Sequence, residues 1–236
     1  MRAIAEQEWL KGFLDFFFPP LCLGCGIFYE GEDSICATCF QKIEEFDHPF
    51  CLNCDSIVPS DSQCPICIKN SALLYVFADY RPPLKEIIIS FKFRGIISPA
   101  KTFALLIASK FEKQLAKLNA QAIVPIPLHA ARKNHRGYNQ AELLARELAA
   151  ITNLELADNI LYRHKRRRPQ SRLKLEKREA NVAGVFAAVE CENDIKRIIL
   201  VDDVVTSGAT VLEAKKCLEK NGYTVAGIVA IAHGLL

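Results

Sequence analysis

The feature that most constrains this chain is a set of eight cysteines before residue 70, all in Cys-x-x-Cys pairs: Cys22/Cys25, Cys36/Cys39, Cys51/Cys54 and Cys64/Cys67. Two intervening residues form a tight turn that aims both sulfurs at one ion, and two such turns complete a tetrahedral thiolate site. Ten residues separate the first pair from the second and nine separate the third from the fourth. That near-repetition points to two zinc ribbons in series. An interleaved arrangement, first pair with third and second with fourth, uses the same residues, and spacing does not separate the two. Four thiolates per site leave no open position for water, so both zinc ions are read as structural. Redox dithiols and an iron–sulfur cluster are competing readings, but one such pair is a weak signal and four in close succession are a strong one. His48 lies between the ribbons and is read as a surface residue, because the cysteines already fill both sites. Cys191 and Cys217 stand alone and are read as small buried apolar residues.

No run reaches the roughly 18 apolar residues that span a bilayer. Residues 9–18 are apolar but include Lys11 and Asp15, with no small-residue cleavage site after them, so they are not read as a secretion signal. The expectation is a soluble, cytoplasmic protein, where reducing conditions favour thiolate metal ligands over disulfides. The net charge of +3 is too mild to select a partner.

After Ser71 the texture changes. Half of the residues are hydrophobic, enough for a sizeable core. Residues 72–80 read as a strand. Ser98 reads as the cap of a helix with Pro99 at its first position, and Phe103, Leu106, Ile107 and Phe111 form that helix's apolar face. Residues 122–127 read as a strand, and Ala141, Leu144, Ala145 and Leu148 recur at helical spacing. Residues 197–201 form an apolar strand ending in two acids. A helix over residues 209–220 stops at Asn221-Gly222, and residues 224–232 form a last apolar strand. Strands alternating with helices predict an α/β domain built on a mostly parallel sheet. The seam is placed near residue 75, giving residues 1–74 to the N-terminal segment with its ribbons and residues 75–236 to the α/β domain.

The sharpest motif is Arg197-Ile-Ile-Leu-Val-Asp202-Asp203-Val204-Val-Thr206-Ser207-Gly208-Ala209-Thr210. An apolar strand delivers two adjacent acids to the carboxyl edge of a sheet, where open α/β sheets bind ligands. Gly208 and its small neighbours let the backbone curl into the next helix, whose free N–H groups and positive dipole end suit a phosphate. Thr206, Ser207 and Thr210 add hydroxyl donors, and carboxylates accept from paired sugar hydroxyls. One short segment can therefore hold a ribose diol and its 5-phosphate.

This string resembles the phosphoribosyl pyrophosphate (PRPP) signature of type I phosphoribosyltransferases, with Ser207 where many members carry a second threonine. The resemblance implies that Asp202 and Asp203 meet the ribose hydroxyls and that residues 206–210 hold the 5-phosphate. Three further stretches are similar to the ComF competence-protein family: the start Phe-Pro-Pro-Leu-Cys22-Leu-Gly-Cys25, the run Val124-Pro125-Ile-Pro127-Leu-His-Ala-Ala-Arg132 with Arg136-Gly-Tyr-Asn139-Gln140, and Gln170 through Arg178 with Asn181 and Phe186. Arg167 departs from the threonine that the family pattern leads one to expect. The resemblance covers nearly the whole chain and implies a type I phosphoribosyltransferase-like domain behind a double zinc ribbon. It also makes the turn after the 122–127 strand a pyrophosphate loop, with Pro125 and Pro127 fixing the backbone and Arg132 and Arg136 neutralising phosphate. Magnesium would accompany PRPP there.

Residues 163–178 are the most basic run, including Arg166, Arg167, Arg168, Gln170 and Arg178. A flap over phosphates, a track for a nucleic-acid backbone and a plain solvated loop all fit it. No segment announces an acceptor-base pocket. The family resemblance implies handling of incoming single-stranded DNA beside the proteins of the uptake machinery, with Lys92, Arg94 and the ribbons assigned to the DNA backbone. A catalytically active transferase with an unknown acceptor and a non-catalytic PRPP sensor are the alternatives.

Overall fold

The computed structural model describes residues 20–29, 31, 34–59, 63–68, 71–164, 184–190 and 194–234. Residues 9–18, Cys191, and Arg166, Arg167, Arg168, Gln170 and Arg178 of the basic run lie outside the described residues.

Nine strands and seven helices are described: β1 (Phe50–Cys51), β2 (Ser56–Ile57), β3 (Leu73–Asp79), β4 (Ala122–Pro125), β5 (Glu155–Leu156), β6 (Leu161–Arg163), β7 (Phe186–Ala188), β8 (Arg197–Val205) and β9 (Thr224–His233), with α1 (Ala37–Phe40), α2 (Leu84–Phe93), α3 (Pro99–Lys110), α4 (Glu112–Lys117), α5 (Ala130–Arg136), α6 (Gln140–Thr152) and α7 (Ala209–Lys220). Seven strands form one sheet in the order β2-β1-β3-β9-β8-β4-β5. From β3 to β5 every pairing is parallel. The remaining pair, β6 and β7, forms a separate antiparallel ribbon.

Every residue of β3 is buried, as a parallel strand covered on both faces requires. Alternation in β8 then sorts the core into two layers. Ile199 and Val201 join Phe91, Phe103, Ile107, Leu144 and Leu148 of α2, α3 and α6 on one face. Ile198 and Leu200 join Val211, Ala214 and Leu218 of α7 and Phe186 of β7 on the other. The apolar periodicities at 103–111 and 141–148 thus mark true core faces.

Three local details depart from the sequence reading. Ser98 stands before α3 but in helical geometry (φ −50°, ψ −35°) and makes no side-chain cap; its Oγ instead lies 2.6 Å from Ser34 Oγ of the first ribbon. The strand expected over residues 122–127 ends at Pro125. And β8 runs through both acids to Val205, because β9 keeps pairing with it as far as Val205 opposite His233.

The ribbons are joined to the sheet. Strand β1 pairs antiparallel with β3, Phe50 opposite Leu74 and Cys51 opposite Leu73, so the second ribbon covers an edge that would otherwise be open to pairing with another chain. No helix among the described residues is long and apolar enough to cross a membrane.

Phe103 is fully buried between β3 and α3, its ring 5.9 Å from that of Phe77. Phe103→Ala is expected to destabilise the chain by about 3–5 kcal/mol, read as a lower urea midpoint. An unchanged midpoint would contradict this packing.

Candidate functional site

The cysteines assemble into two separate tetrads, Cys22/Cys25/Cys36/Cys39 and Cys51/Cys54/Cys64/Cys67, with the sulfurs of each all within 4.8 Å of one another. The ribbons are therefore sequential, and the interleaved pairing is excluded. A tetrahedron with metal–sulfur bonds of about 2.3 Å has sulfur–sulfur edges of about 3.8 Å. Cys25 and Cys36 Sγ stand 3.9 Å apart, and Cys54 and Cys64 Sγ 3.5 Å apart, so both sets fit a four-thiolate zinc ion. Burial pushes the Cys22 thiol up, but backbone N–H donors from Cys36, Cys25 and Gly24 outweigh it and bring it down to about 6. Burial, with neighbouring sulfurs adding to it, pushes Cys39 and Cys51 the other way. A side chain on Gly24 would stand 2.9 Å from Cys39 Sγ, which explains the glycine inside the first knuckle. His48 is exposed and belongs to neither tetrad.

The second centre lies at the carboxyl edge of the sheet. Strand alternation sends Asp203 to the face that carries α2, and Asp202 to the face that carries β6 and β7. Each acid meets a cation there. Lys92 Nζ of α2 lies 2.8 Å from Asp203 Oδ1, both side chains being largely buried. Arg163 of β6 interacts with Asp202, and its guanidinium lies 5.5 Å above the Phe186 ring. Between them opens a cavity of about 310 Å³ lined by Lys92, Pro127, Arg132, Arg136, Arg163, Asp202, Asp203 and Thr210, among others.

The arginines are positioned by the corner between α5 and α6. Asn139 caps α6 by accepting from the Ala141 N–H (3.2 Å) and donates to the Ile126 carbonyl (3.0 Å). Buried Gln140 accepts from Arg136 Nη1 (3.0 Å) and donates to the Phe91 carbonyl (3.3 Å). The Tyr138 hydroxyl donates to that same carbonyl, and Arg136 lies 4.6 Å over the Phe93 ring. The end of α2 that bears Lys92 is thereby tied to the loop that bears Arg136. Arg132 is exposed at the rim.

The glycine-containing loop follows β8 directly. Gly208 adopts φ 71°, a left-handed conformation that only glycine takes readily, and α7 begins at Ala209. Asp202, Val204, Thr206, Ser207, Gly208, Ala209 and Thr210 border a hollow of about 50 Å³ that shares Asp202, Val204 and Thr210 with the larger cavity. The structure thus brings together both acids, the loop, Pro127, Arg132 and Arg136, while Pro125 is buried in β4 behind them. It adds Lys92, Arg163 and Asn139. Lys92 is the counter-ion of Asp203. Arg163 opens the basic run yet belongs to the cavity wall. Neither placement could be found from local spacing, since each depends on a contact between distant elements.

A mostly parallel α/β sheet joined to two four-cysteine ribbons is the class of protein that this fold and site define. A family model described as a double zinc ribbon domain matches residues 13–68. The competence protein F of Haemophilus influenzae is 32% identical over 216 residues, covering 87% of this chain and 93% of that one, and the chain belongs to the competence protein F family. The competence protein ComFC of Bacillus subtilis is 29% identical, covering 81% of this chain and 80% of its own. The DNA utilization protein YhgH of Escherichia coli K12 is also 29% identical, covering 86% and 92%. Among solved structures, the orotate phosphoribosyltransferase of Aeropyrum pernix overlays at a TM-score of 0.32 with 19% identity over 58% of each chain, too loose a match to argue from.

Burial pushes the Asp202 carboxyl up, and the charge of Asp203 adds to this. The Asp203 N–H (2.8 Å from Asp202 Oδ1), Lys92 and Arg163 oppose both, leaving it at about 7. An acid raised above its ordinary 3.8 keeps a proton in the folded chain that the unfolded chain has released. Its contribution therefore favours the fold at low pH and is lost as pH rises from about 4 to about 7. Asp202→Asn is expected to raise Tm at pH 8 by about 2–4 °C, the equivalent of roughly 1 kcal/mol after solvent screening, and by less at pH 5. A lower Tm at pH 8, followed by calorimetry, would contradict the assignment.

Proposed function

We propose that the cavity binds PRPP or a related phosphorylated ribose, and that the protein uses this ligand while handling single-stranded DNA in the cytoplasm during DNA uptake. The observation that carries the ligand reading is the continuity of the loop hollow with a cavity holding two acids and four cations. A ribose 5-phosphate laid along it would place its phosphate against the N–H groups and hydroxyls of residues 206–210 at the positive end of α7. The ribose hydroxyls would face Asp202 and Asp203, and a 1-pyrophosphate would reach Arg132, Arg136 and Arg163. Magnesium bound with the pyrophosphate would supply further charge neutralisation.

Lys92 holds Asp203 Oδ1, so the diol would use the other carboxylate oxygen or share the first with that ammonium. Arg136, immobilised by Phe93 and Gln140, needs little reorganisation to meet a phosphate. Asp202 accepts a sugar hydroxyl best when ionised, so a ligand that recruits its carboxylate also draws its pKa down from about 7.

The DNA part of the proposal is supported by the names of the relatives, competence protein F and DNA utilization protein, and by the basic run at 163–178. Partners from the uptake machinery fit the same reading.

Two measurements test it. Asp203→Asn is expected to weaken PRPP binding by at least about tenfold, or roughly 1.4 kcal/mol, measured by isothermal titration; unchanged affinity would remove the site. Labelled single-stranded DNA, titrated at several salt concentrations, is expected to bind with log K falling by about 0.7 per decade of salt for each phosphate neutralised, and its affinity should shift when Mg-PRPP is added. Absent or salt-insensitive DNA binding would overturn the DNA reading and leave the ligand reading to stand on the first measurement.

A further inference from the structure

The second ribbon touches the candidate phosphate loop through residues that bind no metal. Leu52, inside the Cys51–Cys54 knuckle, lies over Gly208: a side chain built on that glycine would meet the Leu52 Cδ2 and Cδ1 methyls at 3.4 and 3.5 Å. Leu52 is itself anchored by its N–H to the Ala72 carbonyl (2.9–3.0 Å class of backbone bond, here 3.0 Å). On the other side of the loop, His233 is 2% exposed. Its Nδ1 lies 2.9 Å from the carbonyl of Val205, the residue just before Thr206. A carbonyl only accepts, so Nδ1 carries the proton. The Nε2 that remains is then an acceptor without a hydrogen-bond partner, and Asp55 Oδ1, 3.8 Å away, is an acceptor too, so that pair does not hold the ring. The His233 ring also lies 5.3 Å from that of Phe50 in β1. The Gly234 N–H shares the Val205 carbonyl at 2.9 Å. The loop is thus gripped where it leaves β8, through His233, and where it enters α7, through Leu52.

We infer that the second ribbon forms a wall of the phosphate loop, with Leu52 and the Phe50–His233 ring contact as the positioning contacts that hold residues 206–208 ready for an anion. Among the described residues, the first ribbon meets the start of α2 through Gly24 beside Pro83 and the start of α3 through Ser34 with Ser98. The ligand arm of this inference rests on the phosphorylated-ribose reading above; the loop-geometry arm does not.

The test uses the full zinc-loaded chain and three variants: Leu52→Ala, Phe50→Leu and Ser34→Ala. Phe50→Leu removes the ring that meets His233 and keeps an apolar side chain in β1. Hydrogen exchange of residues 206–210 is followed without ligand, and the Kd for ribose 5-phosphate is measured in parallel. Leu52→Ala and Phe50→Leu are expected to speed loop exchange at least about threefold. They are also expected to weaken ribose 5-phosphate by about three- to tenfold, with zinc content held. Ser34→Ala is expected to change neither. Loop exchange and affinity unaltered in both ribbon-two variants would overturn the inference, as would equal changes from Ser34→Ala. Should Leu52→Ala lose zinc, Phe50→Leu decides the question. A parent chain that fails to bind ribose 5-phosphate overturns the ligand reading, and the exchange measurement still decides the positioning role.

Discussion

Two neighbouring carboxylates at the half-buried end of a central strand form an arrangement that the rest of the protein must satisfy. Uncompensated, Asp202 and Asp203 would repel each other in a place where water cannot fully solvate them. Strand alternation resolves part of the conflict by turning them to opposite faces of the sheet. Lys92 on α2 pairs with Asp203, Arg163 on β6 acts on Asp202 at longer range, and the rest is met by Asp202 holding its proton more tightly than an ordinary carboxylate. Because those cations arrive from elements far apart in sequence, the helical layer and the β6–β7 ribbon must both be docked before the site exists. The cavity lies between them, at the carboxyl edge where parallel α/β sheets leave room for ligands.

The same sheet explains why a metal module precedes the domain. Strands of two residues, such as β1 and β2, are too short to be stable alone. A thiolate site holding the Cys51–Cys67 module rigid supplies what hydrogen bonding cannot, and β1 can then cover β3. The second ribbon is therefore an extension of the core sheet, and Cys51 and Cys64 are buried in the same cluster as Phe77 and Phe103. The first ribbon joins that cluster through Cys22, Ile35 and Cys39, and Ser34 meets Ser98 before α3.

Much of this was legible in the sequence because local rules carried it. The Cys-x-x-Cys spacing identified all eight thiolates, the 3.6-residue period located α3 and α6, and α7 ends where Asn221-Gly222 said it would. The acid pair and glycine loop were visible because strand, turn and helix N-terminus adjoin in sequence. What local rules could not give was anything decided by packing between distant elements. Zinc pairing needed the relative placement of four knuckles. Lys92 looked like one of many surface cations until α2 was set against β8. Ser98 has the composition of a cap, but a partner across the structure, Ser34, takes its hydroxyl. The extension of β8 through its acids depends on β9 continuing beside it to His233.

The most direct test of the account is a crystal structure of the full chain with ribose 5-phosphate. The account predicts the phosphate within hydrogen-bonding reach of the backbone N–H groups of residues 206–210, about 3 Å, with the ribose hydroxyls on Asp202 and Asp203. A ligand found elsewhere on the molecule, or a saturating soak that leaves the loop as it is without ligand, would contradict it.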